Sequence, residues 1–176
     1  MNQGVHTEDL LVAALGTPVE VFAYTACLAH ERIEVEDVAV GVVKFASGAL
    51  GVLHDSTAAY LGLSARLQIH GSQGSAVVDN DELTYIHTRA NADRTPDGSG
   101  NQAVRYKIPV VSGTTAGSDP SQLSSAHLRQ FQNFLAAIRG EGEIRVGLAE
   151  NRKSISIITG VYESARTGKA VSLLQD

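Results

Sequence analysis

Two runs of apolar and small residues, Val38 to Phe45 and Ala49 to Thr57, are separated only by Ala46-Ser47-Gly48. A short connection with glycine where a left-handed backbone is wanted specifies a β-hairpin. The strongest constraint on the fold is that this hairpin has no polar face. Val40, Val42, Leu50 and Val52 alternate with Ala39, Gly41, Val43, Ala49, Gly51 and Leu53, and Lys44 and His54 come only at the strand ends. Successive side chains on a strand point to opposite faces. Both faces therefore need cover. Helices of the same chain can supply one, and another subunit can supply the other.

The remaining segments supply the helices and further strands. Val5, Val12 and Leu15 share a helical face in a stretch stopped by Gly16 and Pro18. Val19 to Leu28 reads as a strand. Arg66 to His70, Ser75 to Asp79 and Glu82 to Thr88 read as an antiparallel meander, joined by Gly71-Ser72-Gln73-Gly74 and Asn80-Asp81. Val104 to Val111 reads as one more strand between two polar loops, Arg89 to Asn101 and Ser112 to Ser121. Two helices close the chain. Leu128, Phe131, Leu135 and Ile138 mark the first, ended by Gly140. Leu148, Ile155, Ile158, Tyr162 and Ala165 mark the second, with Thr167-Gly168 as its stop. A helix, a block of strands and two helices predict the α+β class: an open, mainly antiparallel sheet with helices packed on one face and the other face available for oligomerisation.

A chain of 176 residues can bury about two-thirds of its unfolded surface and needs no disulfide or metal to hold a core. Residues 1–176 are expected to form one domain. The net charge of -5 argues against nucleic acid or an anionic membrane as partner. No apolar run is long enough to span a bilayer and the N-terminus has no signal-peptide shape. With a single cysteine, Cys27, the chain suits a reducing cytoplasm.

Few chemical motifs are present. Gly71-Ser72-Gln73-Gly74 sits between strands, where a hairpin turn explains it better than a phosphate cradle, and Gly98-Ser99-Gly100 lies in a polar loop. His54-Asp55 and His30-Glu31 are adjacent pairs whose side chains diverge on a strand, and His70 and His87 lie near strand ends, so no metal site is expected. One constellation remains. Asn2, His6 and Asp9 line one face of the first helix at i, i+4 and i+7. An imidazole can accept a proton near neutral pH, which makes His6 a candidate general base. On spacing alone, a polar stripe on an amphipathic helix with Asn2 as N-cap explains the three better.

The stretch Asn2-Gln3-Gly4-Val5-His6-Thr7-Glu8-Asp9-Leu10-Leu11 resembles the segment that opens the C-terminal domain of the glucose–fructose oxidoreductase / inositol dehydrogenase / rhizopine catabolism family (Gfo/Idh/MocA). The resemblance continues through Glu34-Val35-Glu36-Asp37-Val38-Ala39, Phe45-Ala46-Ser47-Gly48-Ala49-Leu50-Gly51 and Ser56-Thr57-Ala58-Ala59-Tyr60. It runs on through Leu67-Gln68-Ile69-His70-Gly71-Ser72-Gln73-Gly74-Ser75-Ala76, His127-Leu128-Arg129-Gln130-Phe131-Gln132-Asn133-Phe134 and Tyr162-Glu163-Ser164-Ala165-Arg166-Thr167-Gly168. Each block is weakly specific; the ordered set is strongly so.

The resemblance implies the C-terminal substrate-binding and oligomerisation domain of a two-domain enzyme, with NAD or NADP held on an N-terminal Rossmann domain that this chain does not contain. It implies a sugar or polyol substrate, His6 as the catalytic proton relay, and Asn2 and Tyr60 as substrate contacts. Asn2 stands where the family has an acid, so hydrogen bonding to substrate is its expected role. None of Lys44, Lys107, Lys153 and Lys169 lies in the family's Glu-Lys-Pro context. Alone, the chain is expected to bind no cofactor and to be inactive. A non-catalytic binding or assembly module with the same fold is the alternative.

Overall fold

A computed structural model of the chain describes residues 4–59, 62, 64–80, 82–88 and 125–173. The expected strand Val104 to Val111, both polar loops, Asn2 and Tyr60 lie outside the described residues. The chain divides into two units, Met1–Leu63 with Val146–Asp176, and Ser64–Arg145.

In the first unit, helix α1 (Gly4–Leu15) leads into strands β1 (Pro18–Ala26), β2 (Val38–Phe45) and β3 (Leu50–Ser56); after the second unit come helix α3 (Leu148–Thr167) and the short strand β7 (Val171–Ser172). The four strands make an antiparallel sheet in the order β3-β2-β1-β7. The expected hairpin is β2–β3, and Gly48 takes the left-handed conformation its turn requires, with φ 86°. In the second unit, β4 (Arg66–Gly71), β5 (Gly74–Asp79) and β6 (Glu82–Thr88) form the antiparallel meander, followed by α2 (Ser125–Ile138). Gly71 pairs with Gly74 across a tight turn, so the glycine-rich tetrapeptide is a strand connection. Across the same strand pair, Asp79 accepts from both Nε and Nη2 of Arg66 at 3.0 and 2.6 Å. The α+β class holds, with its strands shared between two antiparallel sheets.

Register sorts the hairpin residues onto two faces. Val21–Val43–Gly51 and Ala23–Gly41–Leu53 form cross-strand rows beneath the helices, and Val21, Val43, Ala23 and Leu53 are buried there with Phe45, Ile157 and Val161. The opposite face carries the rows Phe22–Val42–Val52, Tyr24–Val40–His54 and Glu20–Lys44–Leu50. Its Val40, Val42, Leu50, Val52 and Tyr24 are exposed, Val52 by 75%. The helices thus cover one face of a sheet that is apolar on both.

Helix α3 departs from the sequence expectation in a way that explains the packing. Leu148, Ile155 and Tyr162 are exposed, whereas Ser154, Ile157, Gly160, Val161 and Ser164 are buried. The buried face is the one with small residues because the helix sits very close to β1. A Cβ on Gly160 would lie 2.6 Å from Val21 Cγ1 and 2.5 Å from Leu173 Cδ2. Ser164 replaces a packing side chain with a bridge: its Oγ accepts from the Ala23 amide at 3.0 Å and donates to the Lys169 carbonyl at 2.6 Å. Gly168, with φ 66°, ends the helix and donates its N–H to the Ser164 carbonyl. On α2, Leu128, Phe131, Leu135 and Ile138 are exposed.

Helix propensity and packing make opposite predictions for Gly160→Ala. Propensity alone would stabilise the helix by about 1 kcal/mol. Overpacking a filled core typically costs about 1–3 kcal/mol, and both atoms that would be struck belong to buried side chains. We expect packing to win, with a net loss of roughly 1 kcal/mol or more in urea unfolding; a variant more stable than wild type would show that α3 can lift without cost.

Candidate functional site

Of the candidate residues, His6 and Asp9 lie on α1, so what holds that helix decides what they can do. Gly4, Glu8, Leu11 and Val12 are its buried positions, while Val5 and Leu15 are half-buried and His6 is exposed. His6 therefore stands on the outward side of the helix, as its place in the polar stripe predicts. Asp9 does not join it in a site. Its Oδ1 accepts from Ser154 Oγ at 2.7 Å, and Ser154 is buried on α3. Asp9 ties α1 to α3 and is structural.

The sequence reading missed the charged residue that matters most to this helix. Glu8 is 2% exposed and meets Asp55, which β3 projects toward the helices while its neighbour His54 faces the open side of the sheet. Burial pushes the Glu8 carboxyl up to about 9, and hydrogen bonding to Asp55 and repulsion from it push the same way. The Asp55 carboxyl fills the space that a Cβ on Gly4 would need. Glu8 Oε2 and Asp55 Oδ2 are both buried without a hydrogen-bond partner. The signal was present in the sequence: Gly4, Glu8 and Val12 are spaced by four, so an acid interrupts an otherwise small and apolar helical face.

Beside this pair, Tyr162 on α3 donates its hydroxyl to Glu36 Oε1 at 2.9 Å. Partial desolvation of its hydroxyl, then the bond to Glu36, pushes the phenol up to about 12. The next residue, Asp37, organises the connection between β1 and β2. Its carboxylate accepts the amides of Leu28, Ala29 and His30 at 2.8, 2.7 and 2.9 Å and contacts His30 Nδ1 at 3.2 Å. Those hydrogen bonds, with the His30 and Ala29 amides foremost, hold its pKa well below the usual carboxylate range. His30 is thus a partner of Asp37. Exposed Cys27 donates its thiol to the His30 carbonyl.

Two hollows open on the first unit. One is lined by residues including Pro18, Arg152, Lys153 and Ser156, and the other by Cys27, Ile33, Val35, Glu36 and Tyr162 among others. His6 lines neither. Among the described residues no cluster of three or more His, Cys, Asp or Glu is placed to hold a metal ion, and no helix is long and apolar enough to cross a membrane. In the second unit, His70 Nδ1 lies 3.0 Å from Ser75 Oγ on the neighbouring strand, an ordinary surface pairing.

Helices on one face of an open antiparallel sheet are an arrangement shared with known oxidoreductases. Residues 1–77 match the GFO/IDH/MocA C-terminal domain family. Myo-inositol 2-dehydrogenase of Thermotoga maritima is 36% identical over 99 residues, covering 53% of this chain and 30% of that protein. D-apiose dehydrogenase of Paraburkholderia graminis is 23% identical over 177 residues, 97% of this chain and 43% of that one. The WlbA dehydrogenase from Bordetella pertussis, solved in complex with NADH and UDP-GlcNAcA, superposes with a TM-score of 0.76 at 28% identity, covering all of this chain and 48% of that chain. The match to that family covers the first 77 of the 176 residues. The chain spans less than half the length of these relatives.

The depressed pKa of Asp37 sets a direction for acid stability. A carboxyl whose folded pKa lies below its unfolded value of about 3.9 stabilises the fold above that value, and the contribution is lost as pH falls through the folded pKa. Asp37→Asn should lower the melting temperature at pH 7 by about 5 °C and flatten the loss of stability below about pH 4. Melting curves from pH 7 down to pH 2 on both proteins check it; an unchanged acid limb in the variant would remove Asp37 from the account.

Proposed function

We propose that this chain is the substrate-binding and assembly half of an NAD(P)-dependent sugar or polyol oxidoreductase, with His6 as the proton-relaying residue. The observation that carries the reading is the placement of His6: exposed on the first turns of a helix whose other side is fixed by buried contacts, in the segment that matches this family. Such a group is free to meet a substrate delivered from outside the unit.

The described residues offer no glycine turn between a strand and a helix N-terminus, since Gly71 to Gly74 joins two strands. We infer from the family resemblance that a companion Rossmann domain holds the phosphates of a dinucleotide, and that this chain alone is inactive and binds no cofactor. NAD or NADP, when bound, supplies the acceptor for the hydride that leaves the carbinol carbon. His6 receives the hydroxyl proton as the carbon–oxygen bond gains double-bond character. Asn2, one helical turn earlier in sequence, and Tyr60 are the proposed hydrogen-bonding contacts to substrate hydroxyls. An amide and a phenol there orient the substrate and leave the proton to the imidazole.

The reading is tested in the two-domain enzyme. His6→Ala should reduce kcat about a hundredfold or more, while shifting the stability of this domain by only about 0.5 kcal/mol, because the side chain is exposed. Turnover with sugars and polyols is compared with melting curves of the isolated domain. Turnover near wild type would make the chain a non-catalytic assembly module, and unfolding would make His6 structural.

We also propose a second copy of this chain as the cover for the bare sheet face. That face has an apolar centre, Phe22, Val40, Val42 and Val52, and carries Glu20 and Lys44 side by side on paired strands. A two-fold axis through it would bury apolar against apolar and set acid against base at the edge. Sedimentation at micromolar concentration should give a dimer or larger, and Val52→Lys should shift it to monomer. A wild-type monomer would mean that the face is covered by something else.

A further inference from the structure

We propose that Glu8 and Asp55 form a one-proton clamp that fixes the first turns of α1, and with them His6, against β3. The geometry favours this arrangement. Glu8, 2% exposed, meets the half-buried Asp55, and each carboxyl keeps a buried oxygen without a partner. A buried carboxylate against a second carboxylate is strongly disfavoured as a charged pair. Among the described residues, the groups that face Glu8 from the elements packed on α1 are Asp55 on β3 and Tyr162 on α3, whose hydroxyl is already committed to Glu36. One shared proton resolves the repulsion and supplies a hydrogen bond.

Position decides which oxygen carries it. Asp55 lies against Gly4, the first described residue of α1, at the end of the helix whose dipole favours an anion. Glu8 lies one turn further in and is the more costly place for charge, so it keeps the proton and donates to Asp55. Gly4 is required for a specific reason, because any side chain there would displace the Asp55 carboxyl. His6 stands between the two anchor points, Gly4 and Glu8, so a clamp at both fixes its backbone. Its role as positioner rests on the proposed function of His6. The clamp itself does not, because its readouts need no substrate.

The sign of the pH effect follows from linkage. An acid whose folded pKa is raised binds its proton more tightly in the folded state, so stability is fully retained below the unfolded pKa. It is lost as pH rises, until the folded group also ionises. For Glu8 that window runs from about 4.3 to about 9. Within it, one retained proton raises the unfolding equilibrium constant by up to about tenfold per pH unit.

The experiment measures urea unfolding of this chain at intervals from pH 5.5 to 9, for wild type, Glu8→Gln and Asp55→Asn. Glutamine keeps a donor for Asp55 and cannot titrate. Wild type should lose stability across the series, and Glu8→Gln should remove most of that slope. Asp55→Asn removes the neighbouring charge and should make the slope shallower, which keeps the test open if Glu8→Gln does not fold. Amide hydrogen exchange along Gly4 to Leu11, and the ring signals of His6, should show a transition near pH 9 in wild type that is absent from Glu8→Gln. Equal slopes in wild type and Glu8→Gln would overturn the clamp, as would His6 signals indifferent to the substitution. A normal clamp in a two-domain enzyme that tolerates His6→Ala would instead overturn the function assigned to His6.

Discussion

The closeness of α3 to β1 is the constraint on which the first unit depends. Gly160 gives up its side chain so that Val21 and Leu173 can meet the helix backbone. Ser164 then hydrogen-bonds the Ala23 amide and the Lys169 carbonyl together. That bridge sits at the C-terminal end of α3, and it directs the chain back to pair β7 against β1 through Val21–Val171 and Glu20–Ser172. At the other end of the same helix, Ser154 reaches Asp9 and locates α1. One helix face made of small and hydroxylated residues therefore sets a strand pairing, a helix position and the depth of the core. Larger apolar side chains on that face would give more buried area each, but they would hold the helix farther from the sheet and break both hydroxyl bridges.

Much of this was legible in the sequence, and the parts that were not share a cause. The β2–β3 hairpin, the meander from Arg66 to Thr88, the three helices and their glycine stops follow from periodicity and turn chemistry. Those signals depend only on near neighbours in the chain. The buried face of α3 was misread because apolar spacing assumes that large residues point inward, whereas the close approach to Val21 selects Ser154, Gly160 and Ser164 instead. Glu8 was passed over for a related reason. Its partner Asp55 lies 47 positions away, and only the β2–β3 register, which puts His54 on one face and Asp55 on the other, brings the two together. Asp9 was grouped with His6 by helical spacing; Ser154 separates them. His6 itself was placed correctly, on the outward side of α1.

The two faces of the first sheet divide its labour. Toward the helices, the rows Val21–Val43–Gly51 and Ala23–Gly41–Leu53 are tightly packed around Phe45, Ile157 and Val161. They account for folding. The other face spends no helix on its valines and aromatics, and Phe22 and Tyr24 pack edge to face at 5.2 Å within it. An apolar surface of this kind left in water contributes nothing to the monomer. The second copy proposed above would give that surface a partner.

A histidine that moves protons, the role proposed for His6, must be exposed to its substrate, yet held to within a fraction of an ångström. An exposed side chain cannot be fixed by its own packing, so its backbone has to be fixed by the residues around it. In α1 that task falls to Gly4 and Glu8 on one side of His6 in sequence and the other, and to Asp9 through Ser154. These are polar or minimal side chains where Leu or Val would give greater apolar burial. Apolar contacts are non-directional and permit a helix to slide or roll by small amounts, whereas a hydrogen bond of 2.7 Å to a buried hydroxyl does not. In the proposed clamp the price is a pair of carboxyls that tolerates only one charge. Precision at an exposed residue and a built-in sensitivity to proton concentration are thus two results of the same choice of side chains.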